Sequence, residues 1–82
     1  LRQQFLSGAN FSGAQLQDAN LSKAQLQGAK FIAAQLESAN LCKAQLQGAD
    51  FYLAKLQGAN LSESRLNKTI LYAVGYSAQE TA

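Results

Sequence analysis

The sequence predicts an all-β fold, a parallel β-helical solenoid of about four 20-residue coils, and three observations carry that expectation. Residues 21–60 form two successive blocks that agree at 13 of 20 positions, whereas offsets of 15 or 25 residues give only 6 agreements. Inside this long period, Ala-x-Leu or Ala-x-Phe recurs every five residues without insertion from Ala9 to Leu61. Phenylalanine takes the large position at every fourth pentad, in Phe11, Phe31 and Phe51, and Leu71 follows in the same place. Four pentads therefore complete one circuit, and exact self-similarity at such a period marks a stacked repeat.

The regular alternatives fail on geometry. A five-residue step turns an α-helix by about 140°, so the large residues would sweep around the cylinder and leave no apolar face. A straight strand needs apolar residues at every second position, but here the spacing alternates between two and three. That spacing fits a short extended piece followed by a corner. The Ala and Leu side chains then point inward, and two residues carry the chain around the bend. Successive coils are expected ~4.8 Å apart, the spacing of hydrogen-bonded strands.

Taken in order, residues 1–8 read as an entrance or N-terminal cap, because Gln4 and Phe5 break the pattern even though Leu6 keeps it. Residues 9–74 are the repeat array, with Ser64 and Thr69 in place of Ala near its end. Residues 75–82 are a tail or cap, in which Ser77, Ala78, Gln79 and Glu80 match a helix capping box with too few residues after it to form a helix here. Outward positions are expected to stack as ladders. Asn20, Asn40 and Asn60 share one, where amides bonded to their copies are expected. Lys30 under Asp50 and Lys43 under Glu63 place opposite charges at neighbouring-coil distance. Gly8, Gly28 and Gly48 occupy one corner, where a tight bend favours glycine.

Composition narrows the function classes. The chain has 82 residues, 48% hydrophobic and 15% charged, which fits a folded domain. Seven basic and five acidic residues are scattered singly for a net charge of +2, so neither a nucleic-acid footprint nor an acidic surface is present. No segment approaches the ~20 apolar residues of a membrane span, and direct membrane insertion is not expected. Leu1 at the start and the lack of Met predict a processed product or an excised domain, with the compartment undetermined.

Candidate chemistry is sparse. The sequence has no histidine, the usual general base, and its one cysteine, Cys42, aligns outward with Ser22 and Ser62. Asp18 and Glu37 fall on one side of adjacent coils, but Asp18 aligns with Ser38, and two solvated acids are the plain reading. No catalytic, metal or cofactor site is expected. The distinctive surface feature is apolar. Ser12, Ile32, Tyr52 and Tyr72 form one outward ladder that turns from polar to apolar, with Leu53 and Ala73 beside it. Ile32, Tyr52, Leu53 and Tyr72 are the candidate partner surface, since Tyr-rich apolar patches are common at interfaces. Good stacking along a ladder, or cover by a flanking segment, explains the same residues. Singly exposed apolar residues are ordinary, which favours those plainer explanations.

The units at 19–23, 39–43, 49–53 and 59–63 read ANLSK, ANLCK, ADFYL and ANLSE. They resemble the A(D/N)Lxx unit of pentapeptide repeat proteins, and the resemblance extends over almost the whole chain. It implies a right-handed quadrilateral β-helix with the Leu/Phe and Ala positions inward. Gln before the central Leu departs from the usual pattern at an outward position. Such domains are most abundant in cyanobacteria, both free-standing and joined to other domains, including membrane proteins, and most have no known activity. The resemblance therefore implies a non-catalytic structural or protein-interaction module with an unidentified protein partner, and open coil ends would permit an end-to-end homodimer. The competing expectation is a gyrase-binding DNA mimic, a role that calls for a long acidic rod and is disfavoured by the charge of +2. An enzyme is the weakest of the three.

Overall fold

A computed structural model describes residues 4–71. The 20-residue period is its hydrogen-bond register. Ten parallel bridges join residues 20 apart, from Phe5 with Gln25 to Asp50 with Ile70. Around each bridge, the N–H of the inward Leu or Phe donates to the carbonyl 19 residues on, as from Phe31 to Asp50 at 2.7 Å and from Leu41 to Asn60 at 2.8 Å. The corners bond to one another as well, the Gly28 N–H donating to the Gln47 carbonyl at 2.9 Å and the Lys43 N–H to that of Ser62 at 2.9 Å. Each pentad contributes one bridged residue, flanked by the inward Ala and the inward Leu or Phe, and then a two-residue turn, which is the division the spacing predicts. The corners come too often for a longer strand.

Each corner is closed by a bond from the Ala-position N–H to the carbonyl of the preceding Leu or Phe, as from Ala34 to Phe31 at 3.0 Å. The residue two after that Leu or Phe has positive φ, between 57° at Glu63 and 75° at Gly8. A four-residue bend with φ > 0 only at its third position is the type II turn, which favours glycine there. Five of these positions are glycine, and Asp18, Lys23, Ala33, Ser38, Lys43, Leu53, Glu63 and Lys68 hold the same conformation without it. A left-handed residue with a Cβ costs roughly 1–2 kcal/mol. The repeated register holds all thirteen positions in this conformation regardless.

The inward assignment holds along the stack. Every Ala and every Leu or Phe of the pattern from Leu21 to Leu61 is buried. Leu6, Phe11, Leu16, Leu66 and Leu71, nearer the two ends of the described stack, are partly buried against that core. Phe31 and Phe51 lie parallel, with interplanar angle 2° and ring centroids 4.7 Å apart, and Phe11 follows at 5.2 Å and 14°. The separation matches the spacing of bonded strands. Both contacts are stacked, with centroid separations inside the range of favourable aromatic pairs. Ser64 keeps its Ala-type place in the core because its Oγ donates to the Leu61 carbonyl at 2.7 Å.

The outward ladders separate into two kinds of wall. On the walls that carry Phe31 and Leu41, a short Asx side chain stands before the large residue at every described position except Lys30 and Ile70, and turns back on its own corner. Oδ1 of Asn10, Asn20, Asn40, Asp50 and Asn60 accepts the N–H two residues on, at 2.9–3.0 Å. This is the Asx-turn, for which two side-chain bonds are the right reach. It replaces the amide-to-amide ladder expected of Asn20, Asn40 and Asn60. Asp50 does bridge Lys30 through the backbone. Among the described residues, however, neither that pair nor Lys43 with Glu63 closes an ion pair. On the walls centred on Leu36 and Leu46, Gln takes the place of Asx and reaches diagonally instead, Gln17 Nε2 donating to Gln35 Oε1 and Gln27 Nε2 to Gln45 Oε1, each at 2.6 Å. Replacing Asn40 by Ala strands the half-buried Cys42 N–H, with an expected cost of about 0.5–1.5 kcal/mol. Asn40→Gln is expected not to restore it, and denaturant midpoints of the two variants check both statements.

Candidate interaction surface

The wall built on the Phe stack carries the apolar corner. Ile32 and Tyr52 are outward neighbours in one ladder, held in register by the bond from the Ala33 N–H to the Tyr52 carbonyl at 2.8 Å. Ile32 is half-buried, whereas Tyr52 is 39% exposed and Leu53 beside it 49%. Tyr72, the fourth residue expected here, lies outside the described residues, as do Ala73 and the tail at 75–82.

Ile70 joins this surface without having been foreseen. It bridges Asp50 one coil on, is 45% exposed, and follows Asn10, Lys30 and Asp50 in a ladder otherwise polar. An apolar residue after two charged ones in the same ladder was the signal in the sequence. Phe5, 81% exposed, bridges Gln25 and so stands on a different wall.

Leu53 is the least expected residue of the group. Its φ is 61°, in a corner position that glycine fills at five other turns. The other non-glycine corners carry charged residues, Ser38, or Ala33 in the same ladder. A large apolar side chain is thus both strained and half in water.

The remaining candidates are not brought together. Cys42 is a free, half-buried thiol whose N–H donates to Asn40 Oδ1 at 2.9 Å. Asp18 is exposed at a corner, and Glu37 lies half-buried one coil on, with Oε1 enclosed and unbonded. Among the described residues no group of three or more His, Cys, Asp or Glu side chains converges, and no pocket opens. No helix among them is long and apolar enough to cross a membrane.

The comparisons with known proteins agree with this geometry. The family model for pentapeptide repeats matches in 8 copies, over residues 1–31 and 34–71. This chain belongs to the pentapeptide repeat family. Members of this family are generally non-catalytic repeat proteins. Among solved structures, the chain is similar to the pentapeptide repeat protein Rfr23 from the cyanobacterium Cyanothece 51142. Identity is 33% and the TM-score 0.70, over 89% of this chain and 52% of that one. A pentapeptide repeat protein from the Arabidopsis thaliana thylakoid lumen is 30% identical over 94% of this chain and 65% of its own, with a TM-score of 0.40. The chain thus spans between half and two thirds of the length of these relatives. No curated protein matches it.

Proposed function

We propose that this pentapeptide repeat chain is wound as a right-handed quadrilateral β-helix and serves as a non-catalytic module that binds a protein partner. Family membership is what supports the handedness. The partner surface is the apolar corner of the Phe wall, made of Ile32, Tyr52 and Leu53 and widened by Ile70, and Tyr72 is assigned to it by sequence register alone. Its occupant is a protein segment presenting apolar side chains, for which two or three exposed apolar residues in ladder register form a shallow receiving strip.

The observation that carries this reading is Leu53. Seven other corners carry the same left-handed conformation without glycine, so what distinguishes Leu53 is the exposed apolar bulk that it alone among these positions presents. Leu53→Gly relieves roughly 1–2 kcal/mol of left-handed strain, offset by about 0.5–1 kcal/mol of glycine entropy. The expected result is a melting temperature equal to or slightly above that of the parent, together with weaker partner binding. Stability gained as function is lost is the signature of a residue kept for binding.

Partners captured from native extract by the parent chain, purified and titrated by calorimetry against Leu53→Gly and against Tyr52→Ser with Tyr72→Ser, test the surface. Unchanged affinity in both variants would remove it. End-to-end association of two chains, also expected from open coil edges, would use Leu66 and Leu71 at the upper end of the described stack and survive these changes. Solution scattering on the same variants separates the two modes.

A further inference from the structure

We propose that Lys55 and Arg65 latch the uppermost described coil onto the coil beneath it, through diagonal bonds to Glu37 and Gln47 that reverse the polarity of the bonds lower in the stack. In the lower coils, Gln17 donates to Gln35 and Gln27 to Gln45, each pair separated by 18 residues. One coil on, the same two places are taken by Glu37 with Lys55 and by Gln47 with Arg65. Because the register repeats every 20 residues, each upper pair is related to a lower one by a single step along the stack.

The chemistry has inverted in step with the sequence. A glutamate has no hydrogen to donate and a lysine or arginine no lone pair to accept one. The first member of each pair must therefore become the acceptor and the second the donor. Among the buried side-chain oxygens of the described residues, two lack a partner, and they are Glu37 Oε1 and Gln47 Oε1. These are the first members of the two pairs that end in a cation. A buried acceptor left unpaired is costly, and Lys55 and Arg65 are exposed, so their long side chains are free to turn toward it. The substitution of cations for Gln falls in the uppermost described coil on both Gln walls. Repeat stacks are held by nearest-neighbour contacts, so bonds there decide how readily that coil detaches, and with it Ile70 and the upper part of the apolar corner.

Amide hydrogen exchange reads the latch directly. The reporters are the Lys55 N–H, bonded to the Ala34 carbonyl at 2.9 Å, and the Leu36 N–H, bonded to that of Lys55 at 2.8 Å. The Leu16 N–H, bonded to the Gln35 carbonyl at 2.7 Å, serves as a reference one coil lower. Lys55→Glu and Glu37→Lys, each placing like charges on the diagonal, are expected to speed exchange of both reporters about two- to five-fold relative to the reference. The combined variant Glu37→Lys with Lys55→Glu restores an opposite pair in the lower coils' polarity, and parental rates are expected. Raising salt to ~0.5 M is expected to speed the parent's reporters and slow those of the single variants. Reporter rates unchanged in both single variants, or a combined variant as fast as either single one, would overturn the latch.

Discussion

Replacing Phe31 by Ala is expected to cost about 3–5 kcal/mol, the range for deleting a buried ring. Phe31 is fully buried and stacked on both sides, with Phe51 at 4.7 Å and Phe11 at 5.2 Å. The hole cannot be closed by collapse along the axis, because coil spacing is set by backbone bonds such as those from Phe11 to Lys30 at 2.6 Å and from Phe31 to Asp50 at 2.7 Å. From the side, the adjacent small residues Ala29 and Ala34 have no atoms to extend into it. A small domain has only a few kcal/mol of net stability, so the variant is expected to be largely unfolded at 25 °C. Phe11→Ala supplies the control. That ring is only partly buried and stacks on one side among the described residues, so its loss is expected to cost about half as much or less. Denaturant unfolding of the two variants checks the ratio. Equal costs would mean that the Phe column is not the continuous axis of the fold.

The inward half of this structure was legible in the residues and the outward half only partly so. Which side chains fill the axis depends on size and spacing alone, and the Ala and Leu/Phe beats state both without ambiguity. The alignment of Phe31 on Phe51 followed from the period of 20 for the same reason. Outward, the sequence specifies residue types but not the direction in which a polar side chain turns. Asn40 has a neighbour above, Asn60, and a neighbour along the chain, Cys42, and the N–H of Cys42 wins because an Asx side chain reaches two residues on without strain. The contrast between short Asx and longer Gln before the large residue was visible from the start. Read by reach, it would have separated local turns from diagonal bonds. The left-handed corners at Lys23, Lys43 and Leu53 were hidden for a different reason. Propensity assigns positive φ to glycine, whereas here neighbouring coils hold the turn and the residue must comply. Of the candidate surface, Ile32 and Tyr52 were singled out by the drift along one ladder and Leu53 by its place beside it. Ile70 was missed because it belongs to the adjacent ladder, whose lower residues Asn10, Lys30 and Asp50 are all polar.

Ala44→Leu is expected to destabilise the chain by at least about 1–3 kcal/mol, the usual cost of forcing methylenes into a packed core. Ala44 is fully buried, and its ladder contains Ala24 below and Ser64 above. Ser64 calibrates the space. The position accepts one additional heavy atom when that atom is a hydroxyl that donates to the carbonyl three residues back, as Ser64 Oγ does to Leu61 at 2.7 Å. Ala44→Ser has the same route open to it through the Leu41 carbonyl, which already accepts the Ala44 N–H at 3.0 Å. It is therefore expected to cost less than about 1 kcal/mol. Leucine adds three carbons and no such bond, and the nearest large residues along the chain, Leu41 and Leu46, are already fully buried. A loss of about 2 kcal/mol corresponds to about 8–16 °C in melting temperature for a domain of this size, and a thermal melt resolves the two variants. Should Ala44→Leu melt with the parent, Ala44 would have to face solvent. The alternation of small and large inward residues, on which the packing of the core depends, would then be the wrong account of the pentad.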